Sequence, residues 1–409
     1  MIRDISLAHG DDPALRAVLR PYQVRALDAI ATCGTAAAGL HLEFCDNCGD
    51  RRLKPNTCGN RCCPHCQGHE RAQWVAARTQ ELLPCGYYHV VITLPPDLRP
   101  MAQAHPEVVL GGLMRAGSDA IDHLCRDPRF LGGEVGQLAV LHTWRRDLHY
   151  HPHVHIIVSA GGWHARHLRW IHARTFGTAK RRAFLLPKDL LSIVFLRRLR
   201  RLLLTSYDEG AFGDAFLPEL ASRQALNAHL RQVLAKPSVL RIERPFGSAA
   251  TLLKYLGAYV NRVAISPQRI LAHDPVAGTV TYTWTTNAEP DRARTATIPA
   301  KDFLKLFAQH ILPPGFHRIR FRGLWSTAHR NTKLRVVQKA LNLLFPSPLS
   351  PPPPRPDPKR DLCARCGLGH YQRIPGLRSR PSPADRRRIL EEIRSEARSG
   401  TPVRAANCA

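Results

Sequence analysis

The chain has 409 residues, with 59 Lys plus Arg against 32 Asp plus Glu and a formal net charge of +27, which excludes the near-neutral balance of an ordinary cytosolic enzyme. A surplus of that size points to nucleic acid, because each neutralised phosphate releases condensed counterions. No segment approaches the roughly 20 apolar residues of a membrane span, and Met1 to Gly10 lacks the basic and apolar regions of a secretory leader, so a cytoplasmic protein with no membrane partner is expected, on the nucleoid when bound to DNA.

The run 13–32 has apolar residues at helical spacing and leads into a cysteine-rich stretch. A helical stretch around 70–83 follows, then a β-rich run from Tyr87 to Leu94 that Pro95 and Pro96 stop. A helix is predicted over about 106–125, and strands over 136–144 and 152–159 with a polar turn at 145–148 between them. The order strand, helix, strand, strand indicates an α+β fold. From Pro187 to Leu204 the apolar residues again recur at helical spacing while Arg197, Arg198, Arg200 and Arg201 crowd the remaining surface. Such a basic face serves either plain solvation or contact with the phosphate backbone.

Val239 to Arg244 reads as a strand, and Ser248 can cap a helix running to about Val260. A β-rich stretch at 279–285 and a helix near 301–311 follow. Eight prolines then crowd into positions 346–358. Chain of that composition cannot pack a core, so it marks a linker. Beyond it lie a basic tail with a lone Cys363-x-x-Cys366 and a short helix near 383–398. The expected units are an N-terminal helical and cysteine-rich domain over 1–84, a main domain over 85–345, and the linker and tail over 346–409.

Three constellations carry chemistry. Six of the twelve cysteines fall between Cys45 and Cys66, and Cys45-x2-Cys48-x14-Cys63-x2-Cys66 has the spacing of two knuckles that can converge on one structural Zn2+. Cys58, Cys62, His65 and His69 lie close enough to replace a ligand or to build a second site. Cys363 and Cys366 offer half a site, with His370 as a possible third ligand. In the run from His151 to Val158, alternation puts His151, His153 and His155 on one strand face and Val154 and Ile156 on the other. Neighbouring imidazoles on one face can chelate a divalent cation. Tyr255 and Tyr259 stand four apart on a predicted helix, so both phenols can address one point. They border the apolar arc of Leu252, Leu253, Leu256 and Val260, and on spacing alone they read as core.

Taken together, the segments CDNCGDRRLKPNTCGNRCCPHCQ (45–67), HVVITLPPDL (89–98), LHTWRRDLHYHPHVHIIVSAGG (141–162) and KYLGAYVNRVAIS (254–266) resemble the two-tyrosine, HUH-type transposases of rolling-circle insertion sequences, the IS-ninety-one-like family. The resemblance runs from about Pro21 to Arg330. Cys62 departs from it, standing where relatives commonly carry histidine, and Arg145 and Arg146 replace a glycine and a polar residue.

The resemblance implies a palm-like antiparallel sheet with helices, the HUH endonuclease core, preceded by the small zinc-binding domain and followed by the basic tail. It implies that His153 and His155 hold a catalytic Mg2+ or Mn2+, with a third ligand for which Asn261 and Asp97 are candidates. It implies further that Tyr255 and Tyr259 attack single-stranded DNA at element ends, leaving a 5′-phosphotyrosine and a free 3′-hydroxyl. Lys254 and Arg262 flank the tyrosines as sources of positive charge. A rolling-circle replication initiator or relaxase would use the same side chains. A non-catalytic zinc-dependent DNA-binding protein would use the cysteines alone.

Overall fold

A computed structural model describes residues 1–66, 78, 81–173, 175–176, 182–183, 185–213, 218–246, 264–286, 289, 291–344, 362–379 and 381–399. The expected helices around 70–83 and over 248–260 lie largely or wholly outside these residues, as does the proline-rich stretch.

The chain opens with helix α1 (Ile2–His9). The periodic run over 13–32 forms two helices, α2 (Pro13–Val18) and α3 (Pro21–Thr32). The break has a local cause. Pro21 disfavours helical backbone at the residue before it, and Arg20 is extended, at φ −73° and ψ 151°. Each new helix is then capped, α2 by the Asp12 carboxylate accepting from the Leu15 N–H at 2.9 Å, and α3 by the Gln23 side chain accepting from the Arg20 N–H at 2.9 Å. A hairpin of β1 (Leu40–Cys45) and β2 (Arg51–Pro55) follows.

After β3 (Tyr87–Thr93) come α4 (Arg99–Ala104) and the long α5 (Pro106–Arg126), then β4 (Gly136–Trp144) and β5 (Tyr150–Ser159). Two small hairpins, β6 (Gly161–His164) with β7 (Arg169–His172) and β8 (Thr175–Phe176) with β9 (Arg182–Ala183), lead to α6 (Lys188–Asp208) and α7 (Arg223–Val233). The chain continues through β10 (Leu240–Phe246), β11 (Ile270–Asp274), β12 (Thr279–Trp284), β13 (Arg294–Pro299), α8 (Ala300–Ala308), β14 (Ile319–Gly323), α9 (Lys333–Leu344), β15 (Tyr371–Ser379) and α10 (Pro383–Arg398).

The central sheet has five strands in the order β10-β3-β5-β4-β14, each pair antiparallel. This is the mixed helix and antiparallel-sheet architecture expected. Alternation sorts its side chains onto two faces. Val90, Ile92, Ala139, Leu141, Val154 and Ile156 share one core with the buried residues of α5 and α6. Gly117 permits that approach, since a Cβ there would stand 3.1 Å from Ile92 Cδ1 and 3.2 Å from Ile156 Cδ1. On the opposite face Tyr87, Leu138, Val140 and Ile157 pack with Trp163, Trp325 and the α9 residues Leu334, Val337 and Leu341. His142, His153 and His155 share this second face.

A second core joins α1 and α3 to the β11-β12-β13 sheet and α8. The described residues beyond the proline-rich stretch return to the N-terminal helices. β15 pairs antiparallel with β1, giving the sheet order β15-β1-β2, and α10 sets Leu390, Ile393 and Ala397 against Leu7, Ala8 and Ala31. Arg398 pairs with Asp11 at 2.5 Å, and Arg394 approaches Asp28 at 3.6 Å. None of the described helices is long and apolar enough to cross a membrane.

Candidate functional site

The β4–β5 hairpin turns tightly at Arg145 to Leu148, where the Arg145 N–H donates to the His149 carbonyl at 3.0 Å and Arg145 pairs with Asp147. Leu148 takes a left-handed φ of 68° and is fully buried, so packing holds a conformation that a leucine disfavours. Register then decides what meets across the hairpin. Trp144 pairs with Tyr150, a bulge intervenes, and His142 lies opposite His153 while Val140 lies opposite His155. One potential ligand nitrogen from each of His142, His153 and His155 lies within 4.8 Å of the others.

Three imidazoles from two strands fit a divalent cation with positions left open for substrate. His142 is thus the third member of the group among the described residues, a residue not read as a candidate from the sequence. Asp97 sits in the turn Pro96–Leu98 and is not in the group, and Asn261 lies outside the described residues. His151 does not join either. Its Nδ1 meets the Arg99 guanidinium at 3.0 Å, and burial, then the neighbouring His153 and Arg99, push it down to about 4.

Behind the group stands a chain of hydrogen bonds that sequence reading missed. His155 Nδ1 lies 2.8 Å from His89 Nε2, and His89 Nδ1 lies 2.7 Å from Glu243 Oε2. A carboxylate only accepts, so His89 donates from Nδ1 and its Nε2 accepts from His155 Nδ1–H. That leaves Nε2 of His155 as the lone-pair nitrogen, the tautomer a ligand needs. Burial pushes the His89 pKa below its ordinary value, against the pull of the Glu243 carboxylate. His153 is oriented likewise, its Nδ1 donating to the His151 carbonyl at 2.7 Å.

Tyr255, Tyr259, Lys254 and Arg262 lie outside the described residues. Arg197, Arg198 and Arg201 sit on α6, which packs on the sheet face away from the histidines, so the structure does not bring them to that centre. Arg200 of the same helix is engaged with Asn227 Oδ1 at 3.1 Å.

The cysteines correct the sequence reading. Cys45, Cys48, Cys63 and Cys66 do not converge on one point. Cys63 and Cys66 group with Cys33 and Cys58, and Cys45 and Cys48 group with Cys363 and Cys366. A CxxC spacing brings two thiols together, but the chain between knuckles is long enough for each to choose another partner. In the first group the sulfurs of Cys33 and Cys66, Cys58 and Cys66, and Cys63 and Cys33 stand 3.6, 3.6 and 3.7 Å apart. Zn–S bonds of 2.3 Å in a tetrahedron put sulfurs about 3.8 Å apart, so this group has the shape of a structural zinc site. The Cys63 thiol pKa is lowered from its ordinary value by its interactions with the Cys33 and Cys58 thiols. Cys62 belongs to neither group and lines a small cavity beside Trp144, His310 and Arg318. His65 and His370 are in neither group, and His69 lies outside the described residues.

Comparison with known proteins agrees with both regions. A family model described as "Putative transposase" matches residues 136–333, which contain the three histidines, and one described as "Transposase zinc-binding domain" matches residues 5–94, which contain Cys33, Cys58, Cys63 and Cys66. The chain is 28% identical over 336 residues to "Transposase for insertion sequence element IS801" of Pseudomonas savastanoi pv. phaseolicola, covering 81% of this chain and 77% of that one. It is 36% identical over 351 residues to "Putative transposase y4qJ" of Sinorhizobium fredii (strain NBRC 101917 / NGR234), covering 85% of each. No solved structure matches. On this extent of similarity, the chain belongs to the transposase family of the IS91 and IS801 insertion-sequence type.

Proposed function

We propose that this transposase cuts and joins single-stranded DNA at element ends through tyrosine nucleophiles, for rolling-circle transposition. The observation that carries the reading is the convergence of His142, His153 and His155 on one face of an antiparallel hairpin, backed by His89 and Glu243. Mg2+ or Mn2+ is the cofactor, and an all-imidazole donor set favours Mn2+ of the two. Bound there, the cation neutralises charge on the phosphoryl oxygens and orients the scissile bond. Tyr255 or Tyr259 attacks phosphorus, the bond to the 3′-oxygen breaks, and that oxygen leaves as a hydroxyl after taking up a proton. Bond energy is conserved in the 5′-phosphotyrosine, and the second tyrosine is available for a second cut. Lys254 and Arg262 supply positive charge beside the phenols.

In this reading residues 85–345 are the catalytic unit. The zinc of the N-terminal unit, residues 1–84, is held by Cys33, Cys58, Cys63 and Cys66. The protein acts in the cytoplasm on nucleoid DNA. Arg197, Arg198 and Arg201 bind phosphates remote from the cut. Their replacement by alanine should lower the slope of log affinity against log salt by roughly 0.7 for each phosphate no longer neutralised, and an unchanged slope would leave that face merely solvated.

The decisive experiment mixes the protein with single-stranded oligonucleotides and Mn2+ and looks for a covalent adduct on a denaturing gel. The wild type should form one, and the Tyr255→Phe, Tyr259→Phe double variant should form none. An adduct at the normal rate from the double variant would place the nucleophile elsewhere. No adduct from folded wild type that binds the oligonucleotide would support a non-catalytic DNA-binding protein.

A further inference from the structure

We propose that Cys45, Cys48, Cys363 and Cys366 form a second structural zinc site, which fastens the C-terminal segment to the N-terminal zinc-binding unit. The two halves lie 321 residues apart in sequence between Cys45 and Cys366, and Cys363 and Cys366 fall outside both matched family regions.

The geometry is that of a tetrahedral S4 site. Cys45 and Cys366 sulfurs stand 3.8 Å apart and those of Cys48 and Cys363 3.7 Å, against the roughly 3.8 Å edge that Zn–S bonds of 2.3 Å require. A disulfide would hold its sulfurs near 2.05 Å. The halves are also alike in build. Cys45-Asp46-Asn47-Cys48-Gly49 and Cys363-Ala364-Arg365-Cys366-Gly367 both end in a glycine with left-handed backbone, at φ +72° and +66°. That conformation lets the chain turn sharply after the second ligand at no steric cost.

Each knuckle aims backbone N–H groups at sulfur. Asn47 and Cys48 N–H groups donate to Cys45 Sγ at 3.4 and 3.5 Å, and the Gly369 N–H donates to Cys366 Sγ at 3.4 Å. Asn47 Nδ2 reaches across to Cys366 Sγ at 3.6 Å, so one half solvates the thiolate of the other. Around the sulfurs the two ends interlock. Asp46 accepts from the His370 N–H at 2.7 Å, Tyr371 donates to Asp50 at 2.6 Å, and the Arg52 guanidinium lies 3.6 Å over the Tyr371 ring.

Zinc here closes a loop of 321 residues and holds β15 at the edge of β1, so the N-terminal unit is built from segments far apart in the chain. Metal content is the first test, in a His153→Ala background so that the histidine centre does not contribute. The parent should carry two zinc equivalents and the Cys363→Ser, Cys366→Ser variant one. Unchanged zinc, or iron in its place, overturns the assignment.

A second test needs no substitution of a ligand. In the wild type, iodoacetamide should spare Cys45, Cys48, Cys363 and Cys366 until a strong zinc chelator exposes all four together. Alkylation of the exposed Cys48 at one rate with and without chelator overturns the site. Fastening is tested separately, with a protease site inserted at 346–358. After cleavage the C-terminal fragment should co-elute with the rest and separate on chelation, and retention without zinc overturns the fastening role. None of these readouts depends on DNA cleavage, so their failure is distinguishable from failure of the proposed reaction.

Discussion

The histidine centre and the two cysteine groups both gather side chains of types that can ligate metal, yet they are assembled by different means. His142, His153 and His155 come from one hairpin, and backbone pairing alone sets their spacing. The cysteines come mostly from knuckle turns, with Cys33 at the end of α3 and Cys45 at the end of β1, and one group joins segments far apart in the chain. A strand-borne site is therefore preformed by the sheet and needs no bound cation to fold. A knuckle-borne site has little else to hold it, so its metal supplies folding energy. Loss of ligands should thus destroy structure in one region and only chemistry in the other.

The largest effect is expected at the cysteines. Cys33→Ser should release at least one zinc equivalent and unfold the N-terminal unit, since metal-linked folding free energy in such sites is on the order of 10 kcal/mol. Cys62→Ser, next to Cys63 in the chain but outside both groups, should keep its zinc and cost about 1–3 kcal/mol, the penalty for a hydroxyl in a poorly matched pocket. Zinc content by mass spectrometry beside melting curves separates the two. Zinc lost from Cys62→Ser and kept by Cys33→Ser would reverse the grouping and restore a ligand set drawn from neighbouring cysteines.

How legible these centres are in the sequence follows the same division. Period-two alternation places His151, His153 and His155 on one strand face, and β4 occupies the expected span of 136–144. His142 escapes that pattern although it lies in the same hairpin. A regular register continuing from Trp144 opposite Tyr150 would set His142 against Pro152, on the wrong face. The bulge adds one residue and turns His142 to His153, and no residue in the turn announces it. The three CxxC pairs are visible as pairs, but which knuckle meets which is a tertiary fact, and Cys33 carries no partner three residues on. β15 beside β1 is equally hidden, because strand pairing across a proline-rich stretch leaves no local pattern. The tyrosines rest on family resemblance, since their spacing alone reads as core.

A smaller, purely chemical effect is expected at the sheet. His142→Ala should leave the fold and the affinity for single-stranded DNA nearly intact and slow adduct formation by about 10²–10³-fold, the scale of losing one aligned electrostatic stabiliser of a transferring phosphoryl group. Circular dichroism and a binding titration alongside the adduct assay make the distinction. If zinc-site and histidine-site variants both melt the protein, the contrast between a preformed and a metal-dependent centre is lost. An adduct formed by His142→Ala at the wild-type rate would return the third-ligand position to Asn261.

The smallest effect should come from Glu243→Gln, which tests whether the hydrogen-bonded chain behind the sheet orients the ligands. Glutamine keeps an oxygen that can accept from His89 Nδ1 but removes the charge, and the Glu243 side chain is 51% exposed, so water already screens it. His155 should keep its tautomer while becoming a slightly weaker ligand. The Mn2+ concentration for half-maximal cleavage should rise by about 10-fold, the low end for a residue that acts through a ligand, with kcat at saturating Mn2+ unchanged. His89→Ala removes the bond to His155 altogether and should shift the same midpoint further. A fall in kcat without any change in the Mn2+ midpoint would show that Glu243 acts on the DNA rather than through His89. An unchanged midpoint in both variants would mean that the hairpin register alone holds His155 in place.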